Sequence, residues 1–124
     1  MTRTSRISRG MTNYHSGAHA EGSVARDYDR RGKALVARRW RGTLGEIDLI
    51  LRDGAGLVFV EVKKSRDHAR ALARVTRRQT ERIMATAQEF LGTQPEGQLT
   101  PVRFDVATVD ARGEVRVVEN AFAV

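Results

Sequence analysis

The chain has 124 residues, a net charge of +7 and no cysteine. That length suits one domain with one core. The missing cysteine excludes a disulfide scaffold and cysteine–zinc sites, and agrees with a cytoplasmic protein. No apolar run approaches the roughly 20 residues that span a membrane, so no membrane association is expected. The positive charge points to a polyanionic partner, nucleic acid first.

The N-terminal stretch MTRTSRISRGMTNYHSG is basic and rich in hydroxyls and lacks the apolar segment of a secretory signal. Residues 1–15 are expected to form a disordered basic arm, with a single domain over 16–124. A helical pattern covers 16–31. Gly17, Val24, Ala25 and Tyr28 share one side at 3.6-residue spacing, with Arg26 and Arg30 opposite. Gly32 suits the C-cap. Glu21 falls within the apolar stripe. It either pairs with a buried arginine, reaches back to solvent, or serves as a third acid at a metal site.

ALVARRW (34–40) reads as a strand. Residues 45–52 and 57–64 read as two more, joined by the hairpin signal DGAG. A turn centred between Gly54 and Ala55 pairs residues whose numbers sum to 109. Asp48 then opposes Glu61, and Glu46 opposes Lys63. Directly opposed side chains have Cβ atoms about 4.5–5.5 Å apart. Two carboxylates so placed raise one pKa or draw a cation between them. Mg²⁺ and Mn²⁺ suit such oxygen donors. In this register Ile47, Leu49, Val58, Val60 and Val62 form the opposite, apolar face. Lys63 would orient a reactive water or stabilise phosphate charge; an ordinary salt bridge to Glu46 is the other reading.

One long helix is expected over 67–91, with an inner stripe of Leu72, Val75, Thr76, Gln79, Ile83, Ala87 and Phe90 and a stop at Gly92. Arg66, Arg70, Arg74, Arg77 and Arg78 would line its outer side as a phosphate-binding face, partly offset by Glu81. RRWRG (38–42) sets Trp40 among Arg38, Arg39 and Arg41. Its ring could stack on an unpaired base or pack in the core. VRFDVATV (102–109) and EVRVVE (114–119) complete the strands, and Arg103 and Asp105 are expected to pair internally. His15, His19 and His68 show no ligand spacing. The result is an α/β domain, a mixed five-stranded sheet flanked by helices.

Asp48, followed by Glu61-Val62-Lys63, resembles the PD-(D/E)xK signature of restriction-endonuclease-like enzymes and archaeal Holliday-junction resolvases. AE (20–21), GEIDLI (45–50), FVEVK (59–63) and RFDV (103–106) together resemble the YraN-type bacterial proteins, a family of predicted endonucleases. The resemblance spans about residues 16–121. It implies a restriction-endonuclease-like sheet and a Mg²⁺- or Mn²⁺-dependent DNA endonuclease, with branched or structured DNA among its substrates. It also implies that Asp48, Glu61 and the Val62 carbonyl are metal ligands, that Lys63 is catalytic, and that Glu21 matches the helical glutamate of resolvase-like members. Glu46 belongs to the GEID block without an assigned role. Ser65 stands where the family usually has arginine, and Gln79 or a neighbour replaces a lysine. A homodimer would serve an enzyme that cuts two strands. The alternative is a catalytically silent module of the same fold that binds nucleic acid or protein.

Overall fold

The computed structural model describes residues 8–123. Helix α1 covers Ser8–Arg30, followed by β1 (Ala34–Arg41), β2 (Glu46–Asp53) and β3 (Gly56–Lys64). Two helices come next, α2 (His68–Ala73) and α3 (Arg77–Leu91), then a 3₁₀ turn at Gly97–Leu99. Strands β4 (Val102–Val109) and β5 (Val115–Phe122) complete the chain. The strands form one sheet in the order β1-β2-β3-β4-β5. Only β3 and β4 run parallel, and the crossover between them carries α2 and α3. The architecture is the expected α/β fold with a mixed five-stranded sheet.

Alternation along the strands builds a core on each face of the sheet. Leu49, Leu51, Val58, Val60, Ala107 and Val109 meet Ala20, Val24 and Tyr28 of α1. Ile50, Leu57, Phe59 and Phe104 meet Ile83, Ala87, Phe90 and Leu91 of α3. Phe59 stacks on Phe104 at 5.5 Å and meets Phe90 edge-on at 6.0 Å.

Helix α1 begins earlier than the pattern at 16–31 indicates. Residues 8–15 of the expected arm are helical; residues 1–7 of the arm, and the packing of Gly17, lie outside the described residues. The helix ends as anticipated: Gly32 has φ 82° and its N–H donates to the Asp29 carbonyl at 2.9 Å.

The single long helix at 67–91 is corrected to two. Asp67 caps α2, its side chain accepting the Arg70 N–H. Thr76 then starts α3 with a capping box: its hydroxyl accepts the Gln79 N–H, and the Gln79 side chain accepts the Thr76 N–H, both at 3.1 Å. These reciprocal bonds satisfy two otherwise orphaned donors and fix a new helix start. Leu72 is therefore exposed rather than part of an inner stripe, whereas Ile83, Ala87 and Phe90 do face the core.

The pair expected on β4 forms. Asp105 is fully buried and accepts from Arg103 Nε at 2.8 Å, Arg103 at 3.0 Å and Tyr28 Oη at 2.7 Å. It also accepts the Asn120 N–H at 2.9 Å, so one carboxylate ties α1, β4 and β5 together.

Candidate active site

The observed β2–β3 register follows the sum of 109 from Asp53↔Gly56 to Leu49↔Val60. Past Leu49 the regular pairing ends, and Asp48 stands at the break. Leu49 packs on the α1 side, whereas Ile47 packs with Ile50 and Phe59 on the α3 side. Strict alternation would put Ile47 and Leu49 on one face, so the expected apolar face of Ile47, Leu49, Val58, Val60 and Val62 holds only from Leu49 onward. On the neighbouring strand, Arg39 lies between the pairs Arg38↔Leu49 and Trp40↔Ile47 and has φ 50°. A non-glycine residue in that region marks a local distortion. The sheet is thus irregular on both strands where the acid sits.

Asp48 uses this break. Its Oδ2 accepts the Val62 N–H at 2.8 Å, two residues past Val60, where the β2–β3 ladder ends. Glu61 is a hydrogen-bonding neighbour of the same carboxyl, and Lys63 adds positive charge nearby. Burial and then the Glu61 charge push the Asp48 pKa up to about 7, against the pull of the Val62 N–H and Lys63. Lys63 Nζ lies 3.1 Å from Glu61 Oε2, and both side chains are largely buried. The structure therefore brings Asp48, Glu61 and Lys63 together.

Glu46 does not join them. It is exposed and faces Arg41, with 3.5 Å between Oε2 and the guanidinium. The expected Glu46–Lys63 pair is replaced by Glu61–Lys63, because Glu61 lies on the same strand as Lys63 and nearer to its ammonium. Just before Glu46, the turn is pinned to α3. Glu89 accepts the Thr43 N–H at 2.9 Å, and a Cβ on Gly45 would come within 2.8 Å of Arg82 Cγ.

Glu21 faces the sheet from α1 and is buried, as its place in the apolar stripe requires. Arg39 Nε donates to its Oε1 at 2.8 Å, and Arg38 lies 4.0 Å away. Burial raises the Glu21 pKa, opposed by the hydrogen bond from Arg39, and the Asp48 charge raises it further. Asp48 is thus the neighbour that links Glu21 to the β3 acid, but Glu21 itself is bound to arginine. Of the readings for Glu21, an arginine partner is the one present, and that partner, Arg39, is half-buried rather than buried. Arg39 was missed as its partner; the Arg-Arg-Trp-Arg run gives no sign which arginine turns inward.

The basic residues divide. Trp40 packs edge-on against Phe90 at 5.1 Å, which assigns its ring to the core. Arg38 and Arg41 are exposed beside the site. Because the long helix is two, Arg66, Arg70, Arg74, Arg77 and Arg78 do not line one helical face. Arg70 pairs with Asp67, Arg74 donates to the Lys64 carbonyl at 2.8 Å, and Arg77 pairs with Glu81 at 3.3 Å. Arg66 and Arg78 are exposed.

Residues 20–109 match the family model described as "Uncharacterised protein family UPF0102". The chain belongs to the UPF0102 family. A UPF0102 protein of Cereibacter sphaeroides strain KD131 is 60% identical over 114 residues, covering 92% of this chain and 97% of that protein. One from Ruegeria pomeroyi is 60% identical over 115 residues, covering 93% and 94%. One from Roseobacter denitrificans is 50% identical over 118 residues, covering 95% and 92%. The matched span contains Glu21, Asp48, Glu61 and Lys63, and the YraN-type family expectation is met.

Proposed function

We propose that this UPF0102 protein is a metal-dependent DNA endonuclease of PD-(D/E)xK type, acting in the cytoplasm and hydrolysing phosphodiester bonds in branched or otherwise structured DNA. The observation that carries the reading is the convergence of Asp48, Glu61 and Lys63 at a break in the sheet. Asp48, its pKa pushed up to about 7 by burial and then by the Glu61 charge, shares its place with a second carboxylate, and a cation would relieve their repulsion. The donors are hard oxygens, which suit Mg²⁺ or Mn²⁺. Asp48, Glu61 and the Val62 carbonyl would hold such an ion. Bound there, it would lower the pKa of a coordinated water and offset charge developing on the phosphate.

The chain's own residues carry the rest. The Val62 N–H fixes the Asp48 carboxyl, so that donor needs no reorganisation. Lys63 keeps one ammonium beside Glu61, where it can donate to a phosphate oxygen or orient the attacking water. Arg38, Arg41, Arg66 and Arg78 supply exposed positive charge for DNA backbone contacts. A homodimer would present two such sites to two strands.

The test is an assay of purified protein with Mg²⁺ or Mn²⁺ on linear, single-stranded, flap and four-way DNA. Asp48→Asn, Glu61→Gln and Lys63→Ala are each expected to lose at least about 100-fold in rate. Cutting that persists unchanged in all three would remove the site from consideration. DNA binding without cutting on any substrate would assign the chain to the silent-module alternative.

A further inference from the structure

A second cluster lies at the other side of β4. His68 opens α2, and Asp110 and Glu114 flank the β4–β5 turn. Among the described residues, this is the set of three ligand-type side chains whose donor atoms all lie within 4.8 Å of one another. His68 Nε2 is 3.5 Å from Asp110 Oδ2 and 3.6 Å from Glu114 Oε1. Both distances are too long for good hydrogen bonds. Donors arranged tetrahedrally at about 2.1 Å from a zinc ion stand about 3.4 Å apart. Both His68–carboxylate separations are close to that ligand–ligand spacing.

The surroundings agree. The Nε2 atom is buried and makes no hydrogen bond to the described residues. The other ring nitrogen, Nδ1, lies 2.7 Å from the hydroxyl of buried Thr108. A partner on one nitrogen sets the ring's orientation and leaves the other for a metal. Asp110 Oδ1 is occupied by the N–H groups of Arg112 and Glu114, each at 2.9 Å, so only Oδ2 is turned toward the ring. Arg116 competes weakly, 3.9 Å from Glu114 Oε1.

The geometry points to a first-row divalent cation site, best suited to Zn²⁺, formed by His68 Nε2, Asp110 Oδ2 and Glu114 Oε1. One nitrogen with two carboxylates suits a borderline metal better than Mg²⁺. Three protein donors leave a position for water. The site is separate from the Asp48–Glu61 pair but lies at the same end of the strands: Thr108 pairs with Lys63 across β3–β4. The segment leaving Lys63 runs along β4, with the Ser65 N–H donating to the Val109 carbonyl at 3.1 Å and the Ala111 N–H donating to the Arg66 carbonyl at 3.3 Å. A cation here would fasten that segment to the β4–β5 turn and so brace the strand end that presents Lys63.

The experiment is zinc titration by calorimetry on the EDTA-treated full chain. Titrated in excess Mg²⁺, which fills the Asp48–Glu61 pair, one zinc per chain is expected, with a matching rise in Tm. His68→Gln should abolish binding, Glu114→Gln should weaken it, and Thr108→Val should weaken it by roughly 10–100-fold. Asp48→Asn/Glu61→Gln should bind as wild type does. Glu114 is exposed, so its variant keeps the fold and decides the matter if His68→Gln does not fold. Absence of zinc binding would show that His68 merely pairs with the two acids. Binding unchanged in His68→Gln or in Glu114→Gln, or lost in the Asp48/Glu61 double variant, would place the zinc elsewhere and overturn the site.

Discussion

The Asp48 carboxylate accepts the backbone N–H of Val62 at 2.8 Å, one residue past the acid it faces on β3. That bond holds a charged group against Glu61 despite burial and repulsion. The native Asp48 pKa, about 7, lies above its ordinary 3.8. The folded chain therefore binds this proton more tightly than the unfolded chain does. The stability from Asp48 is fully present below about pH 3.8, declines as pH rises toward 7, and stays low above it. Asn at this position keeps an oxygen for the Val62 N–H and loses the charge. In EDTA at pH 8, Asp48→Asn is expected to be more stable than wild type by at least about 1 kcal/mol, a rise of about 3–6 °C in Tm. At pH 4 the two should nearly coincide. A variant less stable at pH 8 would show that the charge is not strained.

The same linkage gives metal binding a pH dependence. A cation at the pair competes with the Asp48 proton, so affinity for Mn²⁺ should rise with pH and level off above about 7. Below that, each pH unit should cost about tenfold in affinity. Calorimetric titration between pH 5.5 and 8.5 checks this, and a flat profile would exclude Asp48 as a ligand. In protein loaded with Mg²⁺ alone, EDTA should lower the Tm of the wild type and leave that of Asp48→Asn unchanged.

Asp105 makes the densest set of contacts among the buried acids. Asp105→Ala leaves the Tyr28 hydroxyl and the Asn120 N–H without their acceptor and leaves Arg103 to Asp53 and Glu119, each at 3.7 Å, and should cost about 2–4 kcal/mol. Tyr28→Phe removes one hydroxyl and should cost about 1–2 kcal/mol. Urea unfolding midpoints rank the two, and an Asp105→Ala loss no greater than that of Tyr28→Phe would mean the ion pair is not integral to the core.

Much of this frame was legible from the sequence because it rests on local rules. Apolar runs bounded by turn signals, with clear alternation in VRFDVATV, located the five strands, and DGAG fixed a hairpin register that holds from Asp53 to Leu49. Extended past Leu49, that ruler sets Asp48 opposite Glu61, a pairing the ladder does not contain although the two side chains do meet. The ruler fails there, where the ladder ends and Ile47 changes face. That change depends on α3 packing beneath Ile47, which is a tertiary effect. The choice of Arg39 over Arg38 or Arg41 as the Glu21 partner was likewise illegible, since it requires the φ of 50° at Arg39. The zinc-type cluster joins α2 to the β4–β5 turn, so no spacing along the chain announces it.

The division of the expected long helix had a readable signal that apolar spacing outweighed. Thr76-x-x-Gln79 is a capping box, and it interrupts a stripe that otherwise continues at helical spacing. Thr76→Ala should cost about 1 kcal/mol. Thermal melts of the single and Thr76→Ala/Gln79→Ala variants should be non-additive, because the two bonds are reciprocal. Strict additivity would indicate that the box contributes little.

Arg39 combines an ion pair with a backbone cost, and the two can be separated. Its guanidinium neutralises buried Glu21, while its φ of 50° is unfavourable for any residue with a Cβ. Arg39→Ala loses the pair and keeps the strain, and should cost about 1–3 kcal/mol. Arg39→Gly loses the same pair but relaxes the backbone, so it should be about 1 kcal/mol more stable than Arg39→Ala. Without Arg39 the Glu21 pKa, already raised by burial, rises further. Both variants should therefore be least stable at alkaline pH and recover as Glu21 is protonated, whereas adding Glu21→Gln should remove that pH dependence. Chemical denaturation at pH 5 and pH 8 measures all of this. If alanine and glycine are equally stable, the backbone at Arg39 is unstrained; if the pH dependence survives Glu21→Gln, the buried charge it reports lies elsewhere.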